Sequence, residues 1–219
     1  MSQSLNLKEI ERKAWRSTFQ DGLWDIYLGL LLFSMALSSQ LDTNIKDKFL
    51  GYVIYFGFIV FTMVVLWVGK RFITIPRMGR VKFGPVRQSR QKKVRLVLFA
   101  SVAFGLLAWF VGAAVWRGSF GRGLPWDLLF PVVYALNMLI VFCLLAYFLD
   151  FPRLYLIAVL FALPIPVHVL LKNYLDIDLI FYAFAVPALI IVCMGIFYLV
   201  RFLRENPIRE AHGGPAQSR

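Results

Sequence analysis

The chain has little charge for its length. Only 16% of its 219 residues are Asp, Glu, Lys or Arg, whereas hydrophobic residues make up 60%. A water-soluble domain averages about 25% charged and about 45–50% apolar residues. This composition leaves too few polar side chains to cover a soluble globule, and it therefore excludes a sizeable soluble domain.

Histidine and cysteine are equally scarce, with two of each. Cys143 and Cys193 lie inside apolar runs, so we interpret them as small apolar fillers and not as a disulfide framework. Two histidines are too few for a His-rich metal site. The G-x-x-x-x-G-K-[ST], H-E-x-x-H, C-x-x-C and G-x-S-x-G patterns do not occur. The sequence thus predicts no metal and no cofactor. It contains no evident nucleophile–base pair that would indicate an enzyme.

What the chain does have is a series of long apolar blocks. About 20 apolar residues are needed for a helix to cross the hydrocarbon core of a bilayer, and six blocks approach or reach that length. They are Leu23–Leu41, Phe49–Gly69, Leu96–Trp116, Leu128–Leu149, Leu154–Leu171 and Leu179–Val200. The pattern predicts an all-α integral membrane protein with six transmembrane helices. Because the fifth block holds Pro164 and Pro166, we expect it to be kinked or re-entrant.

Charge outside the blocks predicts the orientation. With six spans, nineteen of the 24 Lys and Arg residues lie on the side that holds both termini. The positive-inside rule therefore predicts that both termini are cytoplasmic, in the plasma or inner membrane of the cell. The expected organisation is a cytoplasmic amphipathic segment (1–22), a membrane domain (23–200) with a basic loop (70–95), and a cytoplasmic tail (201–219).

The even-numbered blocks end alike, each in an aromatic residue followed by Pro and Arg. The second ends in Phe72 and Pro76, the fourth in Phe148 and Pro152, and the sixth in Phe202 and Pro207. One interpretation is three repeated helical hairpins, a construction found in transporters. The alternative is that Pro commonly follows a helix end and Arg commonly lies at the cytoplasmic interface.

The N-terminal segment from Leu5 to Phe19 has helical periodicity. Leu7, Ile10, Ala14 and Trp15 recur on one face, and basic residues fill the other. This favours an amphipathic helix lying in the membrane interface. The alternative is a lead-in segment that only enforces orientation.

The basic loop, Lys70–Arg95, carries ten Lys or Arg residues and no acid. Its first half, around Pro76 and Gly79, predicts a small hairpin, and its second half is expected to continue as helix into the third span. Anionic lipid headgroups are the expected ligand, and an acidic protein partner is the alternative. Nucleic acid is not expected, because no aromatic stacking platform is present. The candidate binding residues are Arg77, Arg80, Lys82, Arg87, Arg90, Lys92, Lys93 and Arg95.

Polar residues inside apolar spans are costly and tend to mark function. Asn137 lies near the middle of the fourth span, where its amide needs a partner on another helix or in a hydrated cavity. His168 lies near the outer end of the fifth span, close in depth to Asp127, Asp176 and Asp178. A proton relay, a cation site and a pH sensor are the functional interpretations there, against a simple interfacial histidine.

Asp25 lies at the inner end of the first span. If buried, it needs a cation, for which Lys70, Arg71 and Arg77 are the expected donors. The alternative is that Asp25 only satisfies the N-terminus of its helix.

The third span carries a stripe of small residues, Ser101, Gly105, Ala108 and Gly112. Small residues at this spacing let helices approach closely. We interpret the stripe as the packing seam of the bundle, with a homo-oligomer interface as the alternative.

Taken together, these features favour a non-enzymatic accessory, sensor or assembly component of a membrane. The alternative is a small-solute or ion transporter or channel. It is favoured by the repeat, by Asn137 and His168, and by the fifth and sixth spans, which we expect to be broken at their prolines, Pro164, Pro166 and Pro187.

Overall fold

A computed structural model describes residues 19–78, 85–117, 126–176 and 178–207. Within these ranges the chain is helical and contains no strand. The helices are α1 (Leu23–Asn44), α2 (Lys48–Gly69), α3 (Pro85–Trp116), α4 (Trp126–Leu149), α5 (Arg153–Ala162), α6 (Pro164–Leu175) and α7 (Ile180–Glu205). They supply six helical stretches long and apolar enough to cross a membrane, with α5 and α6 together forming the fifth. The six predicted blocks are confirmed as helices, and the predicted N-terminal amphipathic helix lies outside the described residues.

Helix ends follow the local sequence. Asp47 caps α2 by accepting a hydrogen bond from the backbone N–H of Phe49 at 2.9 Å. At the end of α4, Asp150 adopts the left-handed conformation (φ 56°), and the N–H of Phe151 donates to the carbonyl of Ala146 at 3.1 Å. That bond and the left-handed residue form a Schellman motif, which turns the chain sharply into α5.

Two expectations about local structure are wrong in part. The described part of the predicted hairpin is helical, because α2 continues as a π-helical turn (Lys70–Thr74) and a short α-helical turn (Ile75–Met78). The sixth span is not broken, since α7 runs through Pro187 without interruption. The second half of the basic loop does continue into the third span, as α3 begins at Pro85.

The fifth span is interrupted at Leu163, between α5 and α6. Pro164 and Pro166 have no N–H, so the carbonyls of Leu160 and Ala162 lose their helical donors. The ladder of helical hydrogen bonds is therefore interrupted here, while Leu163 keeps helical dihedral angles (φ −71°, ψ −36°), and the kink stays a prediction. Nearby, the hydroxyl of Tyr134 on α4 donates to the carbonyl of Phe161 at 3.0 Å, and the Phe142 and Phe161 rings lie 4.7 Å apart.

The helices pack in the order α2, α1, α7, α5 with α6, α4 and α3, and the α1–α7 contact is the most extensive. The buried core lies along the middle of this row, where Leu32, Ala36, Ile157, Ala188 and Ile191 are fully buried. The two outermost helices are open. No residue of the α3 window Ser89–Val115 is buried, and Phe49 of α2 and Phe99 of α3 are each about three-quarters exposed.

Glycine permits the close α1–α7 contact. An added Cβ on Gly195 of α7 would lie 2.7 Å from the backbone nitrogen of Ile26, and one on Gly29 would lie 3.0 Å from the carbonyl oxygen of Ala188. Gly22, at the start of α1, also has a left-handed backbone (φ 74°), which suits glycine best. A side chain at these positions would force the two helices apart.

Candidate functional site

The candidate site is a buried ionic network of four charged residues, Asp21, Asp25, Lys70 and Arg153. It lies at the end of the bundle where α1, α3 and α5 begin and α2, α4 and α7 end, which we call the basic end. Both carboxylate residues are fully buried. The side chains of Lys70 and Arg153 are 22% and 15% exposed.

Asp21 lies two residues before the first residue of α1, and its carboxylate accepts three hydrogen bonds. Its Oδ1 accepts from the backbone N–H of Leu23 at 3.2 Å. Its Oδ2 accepts from the Lys70 ammonium at 2.5 Å and from the Thr74 hydroxyl at 2.7 Å. Lys70 and Thr74 are the first and last residues of the π-helical turn. This turn therefore delivers both donors to one carboxylate oxygen, and π-turns are frequent at functional sites.

Asp25 lies one helical turn after Asp21 and pairs with Arg153. Its Oδ2 is 2.7 Å from the Arg153 Nη1, but the two groups are too poorly aligned for a hydrogen bond. Both Asp25 oxygens and the Arg153 Nη1 are buried and have no hydrogen-bond partner among the described residues. Close approach in a nearly dry site still makes this a strong charge pair. The start of α1 adds the positive end of its helix dipole, which favours both acids.

Arg153 also connects the network to the segment before α1 and to α7. Its Nη2 donates to the carbonyl of Phe19 at 2.6 Å, and its guanidinium stacks over the Tyr198 ring at 3.8 Å from the centroid. Because Arg153 is the first residue of α5, the helix dipole disfavours its charge there. We infer that the two carboxylates compensate for that penalty.

The network thus connects the start of α1, the end of α2, the start of α5 and the end of α7. It contains two acids and two bases, so its formal charge is zero. The expected cation for Asp25 is Lys70, Arg71 or Arg77. The direct partner is Arg153 instead, whereas Lys70 bonds to Asp21 and acts on Asp25 only at longer range. Arg77 is half-buried and donates to the carbonyl of Ile73 at 3.0 Å.

Outside the network, the basic end keeps a surplus of positive charge. The described acids there are already paired, Asp150 with Arg90 at 3.5 Å and Glu205 with Arg201 at 2.7 Å. Lys92, Lys93 and Arg95 are exposed on α3, and Lys93 lies over the Phe148 ring at 5.9 Å. Arg80 and Lys82 lie outside the described residues, and of Arg87 only the helical backbone is described.

The other predicted polar residues are distributed along the bundle. Asn137 is half-buried on α4, three residues after Tyr134 and therefore on the same side of the helix. Its amide makes no hydrogen bond to another described residue. His168 has its Nδ1 3.8 Å from Asp178 Oδ1, so one of the three expected acids lies beside it. Asp176 is the C-cap of α6, and of Asp127 only the helical backbone is described.

The small-residue stripe on α3 does not pack within the described bundle. An added Cβ on Gly105 or Gly112 would meet nothing within 4 Å. The seam of the bundle lies instead between α1 and α7, at Gly22, Gly29 and Gly195, which were not predicted. The prediction that this stripe is the packing seam of the bundle is therefore wrong, and the alternative, a homo-oligomer interface, stays a prediction.

Sequence reasoning also missed Asp21, Thr74, Arg153 and Tyr134. A weak signal existed for two of them, because Asp21 and Asp25 are spaced one helical turn apart, as are Lys70 and Thr74. Within the described residues, no group of three or more His, Cys, Asp or Glu side chains is placed to hold a metal ion. Comparison of the chain with protein-family models, with curated proteins and with solved structures gave no match.

Proposed function

We propose that the chain is a multi-pass protein of the cell membrane, with both termini cytoplasmic, that acts as a non-enzymatic accessory or assembly component. The basic face of α3 would bind anionic headgroups and an acidic protein partner on the cytoplasmic side. The observation that carries this proposal is the exposed charge of Lys92, Lys93 and Arg95, which no described acid pairs, at an end where the described acids are paired internally.

Two features support a membrane-embedded scaffold. The six helices are long enough to span a bilayer, and large apolar side chains on α2 and α3 are exposed, as lipid-facing or partner-facing side chains would be. The ionic network and the glycine contacts hold the central helices together. A rigid centre with open outer helices suits a protein that presents surfaces to partners.

The orientation is tested by single cysteines at Ser89 and Asn173 in a variant lacking Cys143 and Cys193. With intact cells, a membrane-impermeant maleimide should label the cysteine at 173 but not the one at 89. Labelling of both sites after permeabilisation is the control. The reverse pattern would contradict the proposed orientation.

Partner binding is tested by a photo-crosslinking residue at Ser89, among the basic residues of α3. The wild type should give a protein adduct, which Lys92→Gln/Arg95→Gln should lose. The matched control, Arg71→Gln/Arg204→Gln, removes the same charge from the same end and should keep the adduct. Adducts to lipid alone would leave only the headgroup role, and an adduct unaffected by Lys92→Gln/Arg95→Gln would refute the proposed site.

A second candidate function, transport of a small solute or ion, is favoured by one observation. The interruption at Leu163 faces Tyr134 of α4, with Asn137 one turn further along. Discontinuous helices near the midplane form the binding sites of many transporters.

This alternative predicts a hydrated cavity at Asn137. A cysteine at 137 should then react with a small water-soluble reagent, whereas one at Leu136, which is 52% exposed on the outside of α4, should not. Asn137→Leu should abolish flux in vesicles without unfolding the protein. If the cysteine at 137 is as unreactive as that at 136, the transport proposal is excluded.

A further inference from the structure

A second site lies at the opposite end of the bundle, where the α1–α2 hairpin encloses a cavity of about 420 Å³. This volume falls in the range of small-molecule sites, about 300–1,000 Å³. The cavity is lined by residues of both helices and of the turn that joins them.

Among its described residues, this cavity presents hydrogen-bond donors and no acid. Lys46 and Lys48 contribute two ammonium groups, and Ser38, Tyr52 and Tyr55 contribute hydroxyls. Neither lysine forms an ion pair with a described residue. The neighbouring carboxylate of Asp47 accepts a hydrogen bond from the N–H of Phe49 at the start of α2. The described lining therefore has a positive charge that an anion would neutralise.

The remaining lining is apolar and continuous with the outside of the bundle. Leu41, Ile45 and Phe56 form apolar walls. Tyr52 and Phe56 are both 60% exposed and belong to the open face of α2. A soluble anion would use only the donors, whereas an amphiphile would use the donors and the apolar walls together.

We propose that this cavity binds an anionic phospholipid from the surrounding leaflet. Its phosphate lies between Lys46 and Lys48 and accepts from the hydroxyls, and an acyl chain leaves along Phe56 and the exposed face of α2. Charge-assisted bonds hold the phosphate, and the two lysine charges favour a headgroup that carries no cation of its own. Burial of the acyl chain provides affinity that inorganic phosphate lacks.

The first test fills the cavity at Gly51. An added Cβ there meets nothing within 4 Å, and the same holds for Gly57, six residues further along α2 and outside the lining. Both Gly51→Leu and Gly57→Leu should therefore fold. Both tests use the Lys92→Gln/Arg95→Gln background, which removes the headgroup site proposed on α3. Native mass spectrometry of this protein in detergent, titrated with phosphatidylglycerol, should show a bound lipid with Gly51 intact and with Gly57→Leu, and at least tenfold weaker binding with Gly51→Leu.

The second test removes the charge. Lys46→Gln/Lys48→Gln should weaken phosphatidylglycerol binding at least tenfold and bring it close to that of phosphatidylcholine. Lys172→Gln, at an exposed lysine of the same end outside the cavity, should leave binding unchanged. Equal binding of phosphatidylglycerol with and without Lys46→Gln/Lys48→Gln would overturn the proposal. Tight binding of inorganic phosphate alone would also overturn it, in favour of a site for a soluble anion.

Discussion

Replacing Asp25 with Asn removes one charge from the ionic network and preserves the size of the side chain. Asp25 is fully buried and 2.7 Å from Arg153 Nη1, so the variant leaves a nearly buried guanidinium without its charge partner. Breaking a buried pair in this way costs about 3–5 kcal/mol. Arg153 keeps its bond to the Phe19 carbonyl and its stacking on Tyr198. We therefore expect the free energy of unfolding to fall by about 3 kcal/mol, the lower end of that range.

The reciprocal variant, Arg153→Met, should cost more. It leaves the Asp25 carboxylate uncompensated and also removes the bond to Phe19, which adds about 1–3 kcal/mol. The double variant Asp25→Asn/Arg153→Met buries no unpaired charge. Its loss should therefore be smaller than the sum of the two single losses by about 2–3 kcal/mol, the upper part of the range of about 0.5–3 kcal/mol observed for directly interacting residues.

The measurement is an SDS titration of the purified protein in mixed micelles, followed by circular dichroism. Asp47→Asn is the control, because Asp47 is an exposed cap and Asn caps equally well, so its effect should stay within about 0.5 kcal/mol. Equal losses for Asp25→Asn and Asp47→Asn would refute the argument. So would a double variant whose loss equals the sum of the single losses.

Three further predictions use the same titration. Gly195→Ala should lower the free energy of unfolding by about 1–3 kcal/mol through overpacking, because its Cβ would lie 2.7 Å from the Ile26 nitrogen. Gly112→Ala, with open space around it, should be neutral or slightly stabilising. Similar losses for the two variants would contradict the α1–α7 seam. Tyr134→Phe removes the hydroxyl that donates to the Phe161 carbonyl and should lower the free energy of unfolding by about 1 kcal/mol. It should also speed amide hydrogen exchange around Leu163. Unchanged exchange would show that the Phe161 carbonyl does not need the Tyr134 hydroxyl. Thr74→Val should lower the free energy of unfolding by about 1–3 kcal/mol, because it removes a buried donor to Asp21. The Thr43 hydroxyl is exposed, so Thr43→Val should change that free energy by close to zero. Equal effects of the two variants would exclude a special role for the π-helical turn.

The long helices were predictable because length and composition alone specify them. Six apolar blocks near spanning length became six helical stretches, and the prolines located the interruption of the fifth. The residues around Pro76 were predicted as a hairpin because Pro and Gly are turn residues. The helix continues there instead, and its π-helical turn directs Lys70 and Thr74 to Asp21.

The ionic network could not be predicted in full, because pairing depends on which helices become neighbours. Several cations lie near Asp25 in depth, and local sequence does not distinguish between them. Contact between α1 and α7 and the sharp turn at Asp150 bring Arg153 to Asp25. The same reasoning explains the error about the small-residue stripe, since spacing shows that a helix face is small but not whether another helix covers it.

The close contact between α1 and α7 affects how the chain is made. The ribosome completes α1 at Asn44 and α7 at Glu205. At about 5–20 residues per second, the intervening 161 residues take about 8–32 seconds. During that interval the glycine face of α1 has no α7 to cover it, and Asp25 lacks Arg153 for most of the time. A nascent or truncated chain without α7 therefore leaves the glycine face of α1 uncovered, and only synthesis of the last helix covers it.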